Sequence, residues 1–352
     1  MDIRILDYWR KIQGTLFPEA KEFHGPQTPQ HFRVMVVLDF LNLDRFIYNA
    51  TPKGRPPRDR RALAAAFVAK SVLNLPTTDA LIDRLTVDRV LRRLCGFDAT
   101  RKLPCKSTFS NAFAEFAEAQ LPAKIHEALI ESTYKDTLGG KIVGHVSRDS
   151  TAIPARCTVV TASPKSKKKK RKKIKGKNRR VVRQLEMDLP EMIEDLPRKA
   201  DYGRKRNERW KGFKAHVDVA DGGIPLSFIV TSASVHDNQV AIPLEEMTSR
   251  RVISCYTLMD SAYDAVEIRH FINSKNKVSI IEPHKRRGQT VILDPAERRR
   301  FRERTTVERA YSQLKDNFGV CQLRVLGHSK VTAHIGFAIL ALTAEQLIRV
   351  FS

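Results

Sequence analysis

Three acidic residues, far apart along a chain of 352 residues, stand where chemistry could use them. Asp149 lies in Arg148-Asp149-Ser150-Thr151, Asp260 in Leu258-Met259-Asp260-Ser261-Ala262-Tyr263, and Glu308 in a segment of helical character. The first two close short stretches of strand character, Lys141 to Asp149 and Cys255 to Asp260. Each carboxylate is therefore expected at the C-terminal end of a strand, the edge of an α/β sheet where sites form. Carboxylates are hard oxygen donors that suit Mg²⁺, an ion that keeps several of its waters. Two such ions about 4 Å apart can activate an attacking oxygen and stabilise a leaving one at phosphorus. Each acid also has an ordinary reading, a turn or helix cap for the aspartates and a surface helix position for Glu308.

Basic residues accompany Glu308. Asp294-Pro295-Ala296-Glu297 reads as an N-cap, a proline in the first turn and the reciprocal acid of a capping box. Gly319 can end the helix so begun. On one continuous helix, Phe301, Arg304, Glu308 and Lys315 fall within an arc of roughly 60°. Val307, Ala310, Tyr311, Leu314 and Phe318 occupy a separate arc of roughly 100°. One face can pack while the other presents Arg, Glu and Lys to a site. The alternative is an exposed helix decorated with Arg–Glu pairs. Trp210 stands among Arg209, Lys211 and Lys214, which suits a base stacked amid phosphates or simple packing. His236-Asp237 reads as a turn after a strand, outside the catalytic set.

These residues need a scaffold. Residues 1–138 read as helical, with an Ala- and Leu-rich helix from Arg60 to Leu75 and a second running from about Thr78 to Cys95. A helix rich in Phe109, Phe113 and Phe116 follows, then one opened by Pro122, and a helix-turn-helix fits within 77–119. After Gly140 the pattern changes to strands. Phe213 to Ala220 alternates, Asp221-Gly222-Gly223 is a turn, and Ile224 to Ser232 completes a hairpin. Cys255 to Asp260, a helix over Ala265 to Ser274, and Lys277 to Ile281 extend a mixed sheet flanked by helices. The fold class expected is α/β, with a helical N-terminal domain over 1–138, a catalytic domain over 139–330, and a C-terminal helix over 331–352 packing on the core. Residues 163–209 read as a surface insertion without period.

The charge points to a polyanion. Lys and Arg number 63 against 39 Asp and Glu, a net +24. Residues 165–183, including Lys168, Lys170 and Arg171, hold thirteen Lys or Arg and no acid, and the remainder still carries +11. Most cellular polyanions are nucleic acids. The five cysteines are scattered, with no zinc or disulfide spacing. Neither a membrane span nor a secretion signal is evident, which suggests a cytoplasmic protein.

The spacing of Phe301, Arg304, Glu308 and Lys315 resembles the Tyr-Arg-Glu-Lys signature of the DDE transposases of bacterial insertion sequences, the insertion-sequence-four/five-like group. Asp260-Ser261-Ala262-Tyr263 is similar to that group's second-aspartate motif, with Ala262 in place of glycine and Phe301 in place of tyrosine. Lys211-Gly212-Phe213-Lys214, Gly223-Ile224-Pro225-Leu226 and Ser234-Val235-His236-Asp237 resemble the stretch between its aspartates, and the likeness spans roughly residues 55–345. The resemblance implies a ribonuclease H-like catalytic core in which Asp149, Asp260 and Glu308 hold two Mg²⁺, with Mn²⁺ able to substitute. It implies cleavage of double-stranded DNA at terminal inverted repeats and transfer of the freed 3′-hydroxyls to target DNA, by a homodimer in a synaptic complex at the bacterial nucleoid. Arg304, Lys315, Phe301, Trp210 and the run at Lys168, Lys170 and Arg171 are the expected DNA contacts. A nuclease that cuts without joining, and a domesticated DNA-binding protein without chemistry, are the rival readings.

Overall fold

The computed structural model describes residues 28–47, 59–137, 140, 142–156, 179–205, 208–283 and 292–351. These fall into two compact units. One takes the chain up to residue 139, residues 222–225 and everything from Glu308 onward; the other takes 140–221 and 226–307.

The first unit is helical. It contains α1 (Pro29–Leu41), α2 (Arg60–Val72), α3 (Thr78–Val87), α4 (Arg89–Leu94), α5 (Lys106–Glu118), α6 (Leu121–Ser132) and the final helix α13 (His328–Phe351). The helix expected to reach Cys95 is split at Asp88, which ends α3 and caps α4 by accepting from the Leu91 amide. His31 at 2.7 Å and Arg84 at 3.2 Å hold the same carboxylate. The phenylalanines of α5 cluster on Phe67 of α2, with Phe113 4.9 Å from it between ring centroids. Phe337 of α13 joins them at 5.9 Å. Expected on the catalytic core, α13 instead makes its principal contacts with α1, α2, α5 and α6. Its apolar run is buried against those helices and shares their core. This helix is long and apolar enough to cross a membrane, but 83% of its most apolar stretch is buried within the protein.

The second unit is a mixed sheet with flanking helices. Its strands are β1 (Val143–Pro154), β2 (Asp201–Lys205), β3 (Glu208–Ala220), β4 (Ile224–Ser232), β5 (Ser254–Met259) and β6 (Val278–Ile281). They run in the order β2-β3-β1-β5-β6, with β4 also paired to β3. The β1–β3 pair is antiparallel, and β1–β5 and β5–β6 are parallel. β4 opens in the helical unit and continues in this one; it is buried along its whole length, as its near-continuous apolar sequence requires.

Helix α9 (Asn238–Arg251) packs against β3, and α10 (Val266–Ser274) against β6. The internal Pro243 of α9 has no N–H for the Gln239 carbonyl. That carbonyl accepts from Gln184 Nε2 at 2.8 Å instead, so α7 (Arg179–Gln184) is tied to the break. Within the segment expected to be an irregular insertion, the described residues form regular elements. It holds α7, α8 (Leu189–Glu194) with its Asp188–Glu191 capping box, and β2. Val181 and Met192 sink into the apolar cluster around Ile242, Met259, Ile268 and Ile281, an anchor too sparse to show as a period in sequence.

The capping box at Asp294–Glu297 starts α11 (Pro295–Phe301), but the helix does not run on to Gly319. A 3-10 turn, Arg302–Arg304, separates it from α12 (Thr305–Asn317). With 3.0 rather than 3.6 residues per turn, three such residues shift the helical phase by about 60°. The single-helix wheel drawn from the sequence therefore does not carry from Phe301 to Lys315.

Candidate active site

Asp149 and Asp260 are brought level by strand register. In the parallel β1–β5 ladder, Val146 faces Thr257 and Ser147 faces Leu258, a constant offset of 111. Two residues further along, the same offset matches Asp149 to Asp260. Adjacent strands lie about 4.8 Å apart, and residues level on paired strands project from the same face. Asp149 is not at the end of its strand, as the sequence suggested. β1 continues to Pro154 because β3 pairs with it there, placing Asp149 opposite Val217. What ends beside Asp149 is the parallel partner β5, at Met259.

Local backbone fixes both carboxylates. Asp149 Oδ1 accepts from the Ser150 amide at 2.8 Å. Asp260 Oδ1 accepts from the Ala262 amide at 3.0 Å and caps the short turn Ser261–Tyr263. Ala262, where the resembling motif has glycine, is not among the positive-φ residues, so its methyl group meets no backbone strain there.

The two acids sit in an environment that resists their charge. Burial, with Asp260 and Asp237 adding to it, pushes the Asp149 carboxyl up to about 6 despite the Ser150 amide and Arg304. Burial also raises Asp260, with Asp237 and Glu282 acting in the same direction. Arg304 Nη1 stands 3.6 Å from Asp149 Oδ2, and its guanidinium lies 5.8 Å from the centroid of the Phe301 ring. Ser147 Oγ donates to the Glu303 carbonyl at 3.0 Å and pins the 3-10 turn to β1.

The opposite face of β1 holds a buried ionic network that sequence reading missed. Arg148, fully buried, forms a fork onto Asp218 with both contacts at 2.7 Å and reaches Glu245 at 2.8 Å. Lys277 contacts the other Glu245 oxygen at 2.8 Å, and Thr248 donates to Asp218 at 2.6 Å. Burial opposes the Arg148 charge, but Asp218 and Glu245 outweigh it and hold the guanidinium above the ordinary arginine range. Two cations and two anions thus satisfy one another across β1, β3, α9 and the entry to β6. The available signal was the second alternation in β3. Lys214, His216 and Asp218 occupy the positions between the apolar residues, and His216 and Asp218 are fully buried.

Asp237 also belongs near the pair. Although burial works against its charge, His216 and Lys214 hold it below the ordinary carboxylate range. Lys214 Nζ is 2.8 Å from Asp237 and also donates to the Val235 carbonyl at 2.9 Å. His216 is pushed down to about 4, chiefly by burial, and its Nδ1 lies 3.9 Å from Asp237. His236 is exposed and contacts Asn238 at 3.0 Å.

Each of the remaining expected residues has its own setting. Glu308 is exposed in the first turn of α12, four residues after Arg304, at the point where the chain passes into the helical unit. Lys315 is half-buried on the same helix. The Trp210 indole lies over Gly203 of β2, so close that a Cβ at 203 would stand 2.4 Å from the ring. Its Nε1 donates to the Phe213 carbonyl at 3.5 Å. Lys168, Lys170 and Arg171 lie outside the described residues. Among the described residues, no group of three or more His, Cys, Asp or Glu side chains could hold a metal ion. The level aspartates fit a divalent cation by donor chemistry, because an ion between them would offset the burial and mutual repulsion that raise both.

A sheet whose parallel centre sets two aspartates side by side, followed by a helical segment bearing Phe301, Arg304 and Glu308, has the arrangement expected of a nucleic-acid enzyme with a ribonuclease H-like core. The family model described as Transposase DDE domain matches residues 145–344, and this chain belongs to that family. A second model, Transposase domain (DUF772), matches residues 24–115. No curated protein matches the chain. The sheet is therefore a ribonuclease H-like core with a helical N-terminal region, and the protein is a DNA transposase of the insertion-sequence type. Enzymes of this family generally depend on divalent metal.

Proposed function

We propose that the chain cleaves DNA at the ends of an insertion sequence and transfers the freed 3′-hydroxyls into target DNA. The observation that carries this reading is the level register of Asp149 and Asp260 inside the segment matched by the DDE family. Asp149, Asp260 and Glu308 would hold two Mg²⁺ ions, or Mn²⁺ in their place. Bound there, the ions would supply Lewis-acid activation of the attacking oxygen and neutralise the leaving one. In the first step water displaces the 3′-oxygen at the end of the element; in the second, that 3′-hydroxyl displaces an oxygen of a target phosphodiester. Both are in-line displacements in which positioning and charge neutralisation do most of the work.

The chain's own groups divide this task. Asp149 and Asp260 provide fixed carboxylates on a rigid sheet. Arg304 and Lys315 bind phosphates beside the reacting one, with the Phe301 ring supporting the Arg304 guanidinium. Trp210 and the run containing Lys168, Lys170 and Arg171 add contacts to flanking DNA. Residues 1–138 recognise the terminal repeats and support dimerisation, 139–330 perform the chemistry with 163–209 as a basic insertion, and 331–352 brace the fold.

The test uses purified protein, Mg²⁺, a duplex ending in the inverted repeats that flank the gene, and a supercoiled target plasmid. Joined products are expected. Cutting without joining would favour a nuclease, and binding alone would favour a domesticated binding protein. Glu308→Gln should bind the duplex within about twofold of the parent and lose at least about 100-fold in cleavage, the scale set by removing one transition-state electrostatic contact. A large loss of binding instead would make Glu308 a structural residue.

A further inference from the structure

We propose that the exposed arginines Arg298, Arg299 and Arg302 form a phosphate-binding rail that carries the DNA strand past the aspartate pair. This deepens the transposase reading and rests on it for the identity of the polyanion.

The segment Arg298 to Arg304 holds five arginines in seven residues, against the single acid Glu303. Two of the five are turned to the sheet. Arg300 stacks on the Tyr256 ring of β5 at 4.2 Å from its centroid, and Tyr256 in turn stacks on His145 of β1 at 5.4 Å. Arg304 reaches Asp149. With Ser147 holding the Glu303 carbonyl, these contacts tie α11 and the 3-10 turn to β1 and β5, the two strands that bear the aspartates.

The other three, Arg298, Arg299 and Arg302, are exposed, and among the described residues none has an ion pair. The C-terminal dipole of α11 favours Arg298 and Arg299 in its last turn, but three exposed guanidiniums without acidic partners still repel one another. A polyanion removes that repulsion. The aspartate pair supplies the complementary reason. Cations held by the aspartate pair would serve only the reacting phosphate, so the phosphates on either side of it need fixed positive charge of their own. Guanidinium groups suit phosphate because their planar donors engage two oxygens at once. Contacts of this kind read no sequence; they set affinity and register.

The experiment measures binding of the full chain to a fluorescent duplex in Ca²⁺, across a salt series from about 50 to 200 mM. Each phosphate contact contributes about 0.9 to the slope of log affinity against log salt. The triple variant R298Q/R299Q/R302Q should lower that slope by about 2.7, so the affinity lost across the series shrinks about 40-fold. Arg302→Gln alone should lower it by about 0.9, equally for terminal-repeat and random duplexes. An unchanged slope in a triple variant that melts like the parent overturns the rail. So does a loss confined to the terminal-repeat duplex, which would mark these residues as sequence readers. The two readings separate cleanly. If Asp149→Asn still cuts DNA while the triple variant loses slope, the catalytic assignment fails and the rail stands. If Asp149→Asn stops cutting while the triple variant keeps its slope, the rail fails alone.

Discussion

Asp149 places a carboxylate where the folded chain resists ionising it. Its folded titration point, about 6, lies above the ordinary 3.8. The protonated form therefore favours the fold, and the contribution of Asp149 to stability is fully present below about pH 4 and lost as pH rises through 6. A side-chain amide at this position would be neutral throughout. In the absence of divalent ions, Asp149→Asn should be more stable than the parent by about 2–3 kcal/mol at pH 8 and about equal to it at pH 3, measured by urea unfolding. Equal stability at pH 8 would mean the site does not strain that charge. At this scale the sequence was partly legible. Two aspartates closing strand-like runs stood out, but their level register was not visible, because it depends on which strands pair. Asp237 was set aside as a turn residue, since nothing local reveals that Lys214 and His216 reach it.

Among the elements, β1 does two jobs at once. One face carries Asp149 and the other carries Arg148 into the ionic network with Asp218, Glu245 and Lys277. Arg148→Met removes one cation from a balanced buried set and leaves Asp218 without its fork. The expected loss is about 3–5 kcal/mol in urea unfolding, the usual consequence of breaking a buried ion pair on one side. A loss under about 1 kcal/mol would show that water enters and solvates the survivors. The strands and the hairpin were legible from apolar alternation, within a residue or two at most boundaries. The network was not, because the same alternation assigns Arg148, Lys214, His216 and Asp218 to a wet face. Other assignments were misplaced for specific reasons, among them the end of β1, which pairing with β3 carries past Asp149 to Pro154. Asp88 caps a helix inside what looked continuous, Arg302–Arg304 tighten into a 3-10 turn, and Val181 and Met192 anchor a segment whose composition suggested none.

Across the molecule, charge is the property that composition shows best. The basic surplus remains after the run at 165–183 is set aside, and the arginines of α11 show one place where it gathers. Deleting residues 166–178, which spares α7 and its buried Val181, should weaken binding to random duplex and reduce its salt slope. An unreduced slope would show that the run does not touch DNA. The helical character of the N-terminal third was legible from its periodicity. The grouping of α13 with those helices was not, since an apolar run announces burial but not its partner.

The central claim is that three acids distant in sequence serve one pair of cations, and metal-directed cleavage tests it most directly. With Fe²⁺ in place of Mg²⁺ and DNA bound, ascorbate and peroxide generate hydroxyl radicals that cut the polypeptide beside the ion. We expect cuts near residues 149, 260 and 308, all three lost together in Asp149→Asn and suppressed by excess Mg²⁺. Cuts near 149 and 260 that never include the stretch around 308 would contradict it.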